Sequence, residues 1–298
     1  MIRRVYRELR NTYYRFLTCL SPELNTKARY RQFFGKKLDL DNPQTFEEKL
    51  LYLKIKNYIH NPTVIQCADK VAVREYVSKN GYGHLLNDVI GVYDRVEDIP
   101  WQQLPDQFAL KWNFGATYNI ICDDKSQLDI SEAQKLLKRW GKQKYWLDYS
   151  EMQYKYCPKQ IICEKYLDTK QGFLPYDYKL YCFNGKVKAI LFIMDRDNNK
   201  KGGFFSPEWT YLGPASKDYR GFDITPEKPY SLDVMLECAE VLAKGFPFVR
   251  VDFYQCGDRA IFGEMTFTPA GGIHLSQINI EGKPMGTLLD ISDIRKNK

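Results

Sequence analysis

The sequence has no C-x-x-C pair and only three histidines, His60, His84 and His274, so no zinc or histidine-centred metal site is expected. Its eight cysteines (19, 67, 122, 157, 163, 182, 238, 256) are scattered, several within apolar strands where a thiol acts as a small hydrophobe. That usage favours a reducing cytoplasm over a disulfide framework. Long hydrophobic runs are missing too. The stretch 189–194 is among the longest, far below the ~20 residues that span a bilayer. No apolar core with a small-residue cleavage site opens the chain, so no secretory signal is expected. Repeats and low-complexity tracts are also missing.

What is present is a 298-residue chain of ordinary globular composition, enough for one or two domains. Its charge is unevenly placed. Residues 1–37 hold ten Lys/Arg against Glu8 and Glu23, a surplus of eight, while the whole chain is +7; the other 261 residues therefore sum to −1. Within this arm Val5, Leu9, Tyr13, Phe16, Leu17 and Leu20 recur at helical spacing. Such a helix could lie on an anionic membrane surface through residues 1–20. The plain alternative is that it packs its stripe on the body and solvates its arginines. Nucleic-acid binding is not expected, because the rest of the chain shows no basic patch with interleaved stacking aromatics.

Pattern and breaker residues predict helices at 46–56, 69–79, 131–141 and 232–244. Strands are predicted at 108–112, 117–122 and 160–167, and 197–208 reads as a polar, glycine-containing loop. Asn184-Gly185 predicts a hairpin of 177–183 with 186–194 through a two-residue type I′ turn. Hairpins with few helices point to an antiparallel α+β fold.

The segment VRVDFYQCGDRAIFGEMTFTP, residues 249–269, carries one carboxylate in each of two apolar strands, Asp252 and Glu264. Centred on Asp258, the hairpin sets Asp252 opposite Glu264 and Arg250 opposite Thr266. Opposed side chains lie ~5 Å apart at Cβ. Two carboxylates that close repel unless a proton or cation lies between them, and oxygen ligands of this kind suit Mg²⁺. An ordinary hairpin with two solvated acids is the alternative, and a one-residue slip would part the acids.

The Asn-Gly register places Tyr178, Leu180, Cys182, Val187, Ala189, Leu191 and Ile193 on one face. Asp177, Lys179, Lys186, Lys188 and Arg196 fall on the other, with Tyr181, Phe183, Ile190 and Phe192. That second face is either solvated or suited to phosphate oxygens. Lys111 interrupts an apolar strand just before a loop containing Gly115, a position from which it could reach phosphates. Glu164 is a further charge within an apolar strand, able to accept from a nucleobase amine or ribose hydroxyl or to be a simple edge acid.

In order, Asp69-Lys70, Lys111 with its loop, Glu164-Lys165-Tyr166-Leu167, Asp177-Tyr178-Lys179, Arg196 and Asp-x₁₁-Glu-x-Thr resemble an ATP-grasp enzyme. The set is similar to glutathione-synthetase-like and biotin-carboxylase-like members of that superfamily. NPQTFEEKL, ADKVAVREYV, LPDQFALKWNFG, DYKLYCFNGK and FGEMTFTP further resemble the TupA-like ATP-grasp family of surface-polysaccharide biosynthesis, from residue 42 to residue 272. The resemblance implies an ATP-grasp fold, two subdomains whose antiparallel sheets clasp ATP, behind a basic helical arm. It implies boundaries at 1–40 (arm), 41–68 (helical segment), 69–165 (small lid subdomain) and 166–298 (large subdomain with the metal site).

The roles it implies are these. Lys70 and Lys111 contact the ATP phosphates and adenine, and Glu164, Lys165, Tyr166 and Leu167 hold the adenine along a hinge. Lys179 and Arg196 face the transferring phosphate, with Arg250 beside them and Asp177 in the nucleotide set. Asp252 and Glu264 bind Mg²⁺. Thr266 stands where the family has a metal-site asparagine, and Trp-Asn-Phe-Gly-Ala replaces an Asn-His-Gly-Ser type loop. Phosphate gripping then falls to backbone amides around Gly115, to Asn113 and to Thr117. The implied activity is an ATP- and Mg²⁺-dependent carboxylate–amine ligase. It would join an amine or amino acid to a uronic acid of a capsular or other surface glycan, in the cytoplasm at the inner face of the membrane. A glycosyltransferase, a sugar kinase, or a degenerate ATP-grasp partner stay open beside it.

Overall fold

The computed structural model describes residues 2–169, 175–194, 200–216, 219–273, 279–280 and 282–296. The basic arm forms α1 (Ile2–Leu20) and α2 (Pro22–Phe34), closed at Gly35 in the left-handed region. Next comes α3 (Phe46–Leu53), started by a capping box in which Glu48 N–H donates to Thr45 and the Glu48 carboxylate accepts from Thr45 N–H. The predicted helix at 46–56 does not continue regularly. It widens into a single π-turn, Lys54–Tyr58, and the Lys54 amine turns inward onto the carbonyls of Tyr149 (2.8 Å) and Gly271 (3.2 Å).

Two short helices follow, α4 (Pro62–Ala68) and α5 (Val73–Lys79). The helix predicted at 69–79 starts late. Asp69 bends the chain first, its carboxylate accepting from the N–H groups of Val71 (2.8 Å) and Ala72 (3.2 Å).

A four-stranded antiparallel sheet then forms from β1 (Val89–Tyr93), β2 (Phe108–Trp112), β3 (Asn119–Cys122) and β4 (Ile161–Lys165), in the order β1-β4-β2-β3. Helix α6 (Ile130–Gly141) buries Ala133 and Leu137 against it, in a small core with Val96, Ile99, Trp101, Phe108, Leu110 and Trp112. The short α7 (Trp146–Tyr149) leads back to β4.

The larger sheet is also antiparallel, with β5 (Asp177–Phe183), β6 (Lys186–Met194), β7 (Lys201–Phe205), β8 (Tyr211–Pro214), β9 (Phe248–Cys256) and β10 (Arg259–Thr266) in the order β10-β9-β5-β6-β7-β8. Helix α8 (Leu232–Leu242) covers one face with Leu232, Met235, Cys238 and Leu242. Strand β7 lies where a loop was expected at 197–208. Its Gly202-Gly203 pair is a site of close packing, for a Cβ on Gly203 would stand 2.6 Å from the Tyr211 ring. All eight cysteines are free thiols, most of them buried.

The Asn184-Gly185 turn forms as expected, with φ +49° and +79°. The register beyond it does not. Phe183 pairs with Lys186 and Cys182 with Val187, but Tyr181 pairs with Ala189, so Lys188 is extruded as a bulge. Every β6 residue past the bulge changes face. Leu191 and Ile193 lie opposite Lys179 and Asp177, where Ile190 and Phe192 were expected. Lys186 bonds Glu240 of α8 instead of joining the cationic face.

The arm is amphipathic but turned the other way. Tyr14 and Thr18 are buried on the body, and the Thr18 hydroxyl donates to the Leu147 carbonyl at 2.8 Å. Val5, Leu9, Tyr13, Phe16 and Leu20 are exposed, and Leu17 is half-buried. The alternative in which the stripe packs inward is therefore overturned.

Candidate functional site

Alternation along β9 puts Arg250, Asp252 and Tyr254 on the face away from α8, while Val249, Val251 and Phe253 are buried on the other. Asp252 pairs with Lys179 on β5 and with Glu264 on β10, and Arg250 pairs with Thr266. The expected opposition of Asp252 and Glu264 is thus present, for a different reason. The turn is two residues, Gly257-Asp258, and the slip this would cause is cancelled by a bulge at Gly263.

The cation between the two acids is a side chain. Arg250 donates to Asp252 from Nε and Nη2, both at 2.7 Å, and the same Nη2 is 3.5 Å from Glu264 Oε1. Lys179 adds a bond to Asp252 Oδ2 at 2.8 Å. Burial works against the Asp252 carboxylate, but Arg250 and Lys179 outweigh it and hold its pKa below the ordinary value. The same carboxylate raises the pKa of Arg250 and Lys179 although both are drawn into the protein. Thr266 accepts from Arg250 at 3.1 Å and donates to Glu264 Oε1 at 3.2 Å, so it orients the acid.

A cavity of about 300 Å³ lies between the two sheets. From the small-sheet side come Lys70, Arg74, Lys111, Gly115, Thr117 and Glu164. From the large-sheet side come Asp177, Lys179, Asp252, Tyr254 and Glu264. Each cation has an acid. Lys111 bonds Glu164 at 2.6 Å, Arg74 reaches the same carboxylate at 3.3 Å, and Lys70 is 3.6 Å from Glu264. Burial lowers the Lys111 pKa, but Glu164 more than reverses this. Lys70 also donates to the Gly115 carbonyl at 2.8 Å, tying the loop down. Gly115 sits at φ +70°, and a Cβ there would stand 2.8 Å from the Tyr145 ring, so the loop backbone can come this close only as glycine. Thr117, at φ +66°, belongs to the loop and not to the predicted strand at 117–122.

Lys165, Tyr166 and Leu167 are not in this cavity. They line a smaller one of about 110 Å³ that shares Lys111, Asn119 and Tyr254 with it. Asn113 is a correction. Expected to grip phosphate, it is fully buried and spent on the scaffold: its amide donates to Asp69 (2.7 Å) and Pro158 (2.6 Å) and accepts from Gln160 N–H (2.9 Å). Arg196 lies outside the described residues.

A second cavity of about 400 Å³ meets the first at Gly115, Ala116 and Glu264. Tyr145, Tyr149 and Tyr154 line it, with Arg250, Thr266, Glu151 and Thr268. Sequence reasoning named Arg250 and Thr266 but missed Tyr145, Tyr149, Tyr154, Glu151 and Thr268. It also missed Arg74 and Tyr254. Both were within reach: Arg74 is one helical turn past Lys70, and Tyr254 is two residues past Asp252 on one strand face. Glu151 is buried, accepts from Thr268 at 2.7 Å, and has its pKa raised by burial.

Among the described residues no cluster of three or more His, Cys, Asp or Glu could hold a metal ion by itself. The all-oxygen pair Asp252 and Glu264 fits Mg²⁺, which is ordinarily held by one or two carboxylates together with substrate phosphates. Asp252 would contribute the one lone pair, on Oδ1, that Arg250 and Lys179 leave free.

Two antiparallel sheets facing across a cleft of paired Lys/Arg and carboxylates define a protein of the ATP-grasp class. Residues 48–280 match the family described as TupA-like ATPgrasp, and the chain belongs to that family. Comparison with curated proteins found no match. Among solved structures, D-alanine–D-alanine ligase from Bacillus anthracis complexed with ATP is similar at TM-score 0.44 and 16% identity, over 79% of this chain and 68% of that one. The ATP-grasp ligase PsnB, complexed with minimal precursor, Mg and ADP, gives 0.39 and 11%, over 74% and 58%. Phosphoribosylamine–glycine ligase from Thermotoga maritima gives 0.40 and 13%, over 70% and 50%. At these scores the likeness carries neither substrate nor mechanism from those chains to this one.

Proposed function

We propose that the protein is an ATP- and Mg²⁺-dependent carboxylate–amine ligase that joins an amino acid or amine to a sugar acid of a capsular or other surface polysaccharide. One observation carries this reading: two cavities of opposite character meet at Glu264 and the Gly115–Ala116 backbone. The charged one suits a nucleotide's phosphates. The tyrosine-lined one suits a pyranose, whose C–H faces stack on aromatic rings. Arg250, which lines the second cavity and contacts Asp252 and Glu264 of the first, would hold the acceptor carboxylate against the transferring phosphate.

The first cavity is lined by four cations (Lys70, Arg74, Lys111, Lys179) and four acids (Glu164, Asp177, Asp252, Glu264). So balanced a wall favours a polyanion that arrives with a divalent cation. Mg²⁺, when bound through Glu264 and Asp252, would supply neutralisation of charge building on the phosphate oxygens. The chemistry balances in two steps. An acceptor carboxylate oxygen attacks the γ-phosphorus as the bond to ADP breaks, giving an acylphosphate. The amine nitrogen then attacks the acyl carbon, phosphate leaves, and the nitrogen loses a proton. Lys179, Arg250 and Arg196 would neutralise the moving phosphate; Glu151, held protonated to higher pH than an ordinary glutamate, would receive the amine proton once ionised.

The test is acceptor-dependent ADP formation with MgATP, a sugar acid and an amine, with the product weighed by mass spectrometry. An amide with one water lost is expected. Lys179→Ala should lower turnover by roughly 10²–10³, on the scale of one lost transition-state donor. Wild-type ADP formation by Glu264→Ala would sink the metal assignment. A glycosidic or sugar-phosphate product, or thermal stabilisation by a UDP-sugar and not by ATP, would overturn the ligase reading.

A further inference from the structure

Helix α1 is inverted relative to the usual surface helix. Its inward side is polar and aromatic: Thr18 bonds the Leu147 carbonyl, Arg15 pairs with Asp148 at 3.3 Å, and Arg29 of α2 lies between the rings of Tyr14 and Tyr149, 4.2 Å from each. Its outward side is apolar. Val5, Leu9, Tyr13, Phe16 and Leu20 are between 49% and 67% exposed and follow a spacing of three and four residues. A contiguous apolar stripe left in water along a helix of about 28 Å marks a surface that something covers.

Charge decides between the candidate occupants. The stripe belongs to a segment with a surplus of eight positive charges, while the rest of the chain is nearly neutral. A second copy docked on the same stripe would bring an equally basic arm against this one. An anionic lipid surface presents the opposite charge to the arginines and an apolar layer to the stripe. Among the described residues no helix is long and apolar enough to cross a membrane, so the mode is interfacial. We propose that α1 lies in the headgroup region of an anionic bilayer and seats the protein there. The seating is directional. Helix α1 packs on α7, whose Tyr149 lines the second cavity, so that cavity would be held close to the lipid surface.

The experiment is flotation of the full chain with phosphatidylcholine vesicles, with and without phosphatidylglycerol, at low and high salt. Binding should require phosphatidylglycerol and weaken as salt rises. The double variant Leu9→Glu/Phe16→Glu should bind at least about tenfold less, with unchanged circular dichroism and melting temperature. Equal flotation of the double variant, or no flotation of the wild type, overturns the proposal. So does a concentration-dependent doubling of mass that the same variant abolishes, which would make a second copy the occupant. A wild type that does not float yet forms ADP sinks this inference and leaves the ligase reading standing, and a wild type that floats without forming ADP does the opposite.

Discussion

Arg250 grips Asp252 side-on, Nε to Oδ1 and Nη2 to Oδ2, each at 2.7 Å, in a region where Asp252 is 1% exposed. The same guanidinium reaches Glu264 and Thr266, so one side chain orders the wall between the two cavities. Arg250→Met leaves a buried carboxylate with only Lys179 as its cationic partner. Breaking a buried pair in this way costs about 3–5 kcal/mol, read as a shift in urea midpoint. Arg250→Lys should recover only part of it, because an ammonium cannot make the two-pronged contact. A wild-type midpoint for Arg250→Met would show that the clamp does not stabilise the fold.

Asn113→Ala should damage stability and spare nucleotide affinity. The substitution orphans a buried Asp69 oxygen, at a cost of roughly 1–3 kcal/mol, and removes the partner of the half-buried Gln160 N–H. The variant should melt earlier yet keep the same ATP-induced rise in melting temperature. A normal melt with lost ATP stabilisation would return Asn113 to the nucleotide site.

Acid sensitivity should trace to Glu48. Its carboxylate accepts from Tyr30 (2.7 Å), Lys36 (2.9 Å), Gln44 N–H (2.9 Å) and Thr45 N–H (3.1 Å). Burial pushes its pKa up, but these bonds prevail and hold it at about 2, against an ordinary 4.5. A folded value below the unfolded one means the stabilisation is complete above pH 4.5 and fades as pH falls through about 2. The full effect is roughly 3 kcal/mol. Glu48→Gln should be less stable at pH 7 and lose much of the difference between pH 5 and pH 2; an unchanged acid profile would refute this.

Gly115→Ala should close the loop site. At φ +70°, with Tyr145 2.8 Å from the new methyl, the loop must move away from both cavities. The left-handed conformation alone costs about 1–2 kcal/mol for alanine. Thermal stabilisation by MgATP should fall sharply. A variant with a wild-type ATP response would show that the loop backbone does not meet the nucleotide.

Glu151 should leave a mark on the pH profile. Burial raises its pKa, so it stays protonated further up the pH scale than an exposed glutamate. If it takes the amine proton it must first ionise, and kcat should climb as pH rises through that elevated value. Glu151→Gln should lower kcat and flatten this limb. A retained limb would assign it to another group.

Much of the candidate site's charged lining was legible because strand alternation is a local property. The charges at Lys111, Glu164, Lys179, Asp252 and Glu264 interrupt apolar strands, and the structure brings all five to one cavity. Asn113 shows the limit. A buried amide and a ligand amide look alike in sequence, and only the positions of Asp69, Pro158 and Gln160 tell them apart. The tyrosine cavity was invisible for a related reason: Tyr145, Tyr149 and Tyr154 meet Arg250 and Thr268 only across about a hundred residues of chain.

By itself the sequence determined the antiparallel α+β class, a hairpin at Asn184-Gly185, the presence of a second hairpin around Asp258, and the order of charged residues along the chain. Those follow from turn chemistry and period-two patterning, which act over a few residues. Tertiary structure decided the bulges at Lys188 and Gly263, each of which adds one residue to a strand without changing its composition. It also decided that a cation already stands between Asp252 and Glu264, and that α1 turns its apolar face outward. Both depend on which distant groups arrive at the same place, and packing settles that only once the whole chain has folded.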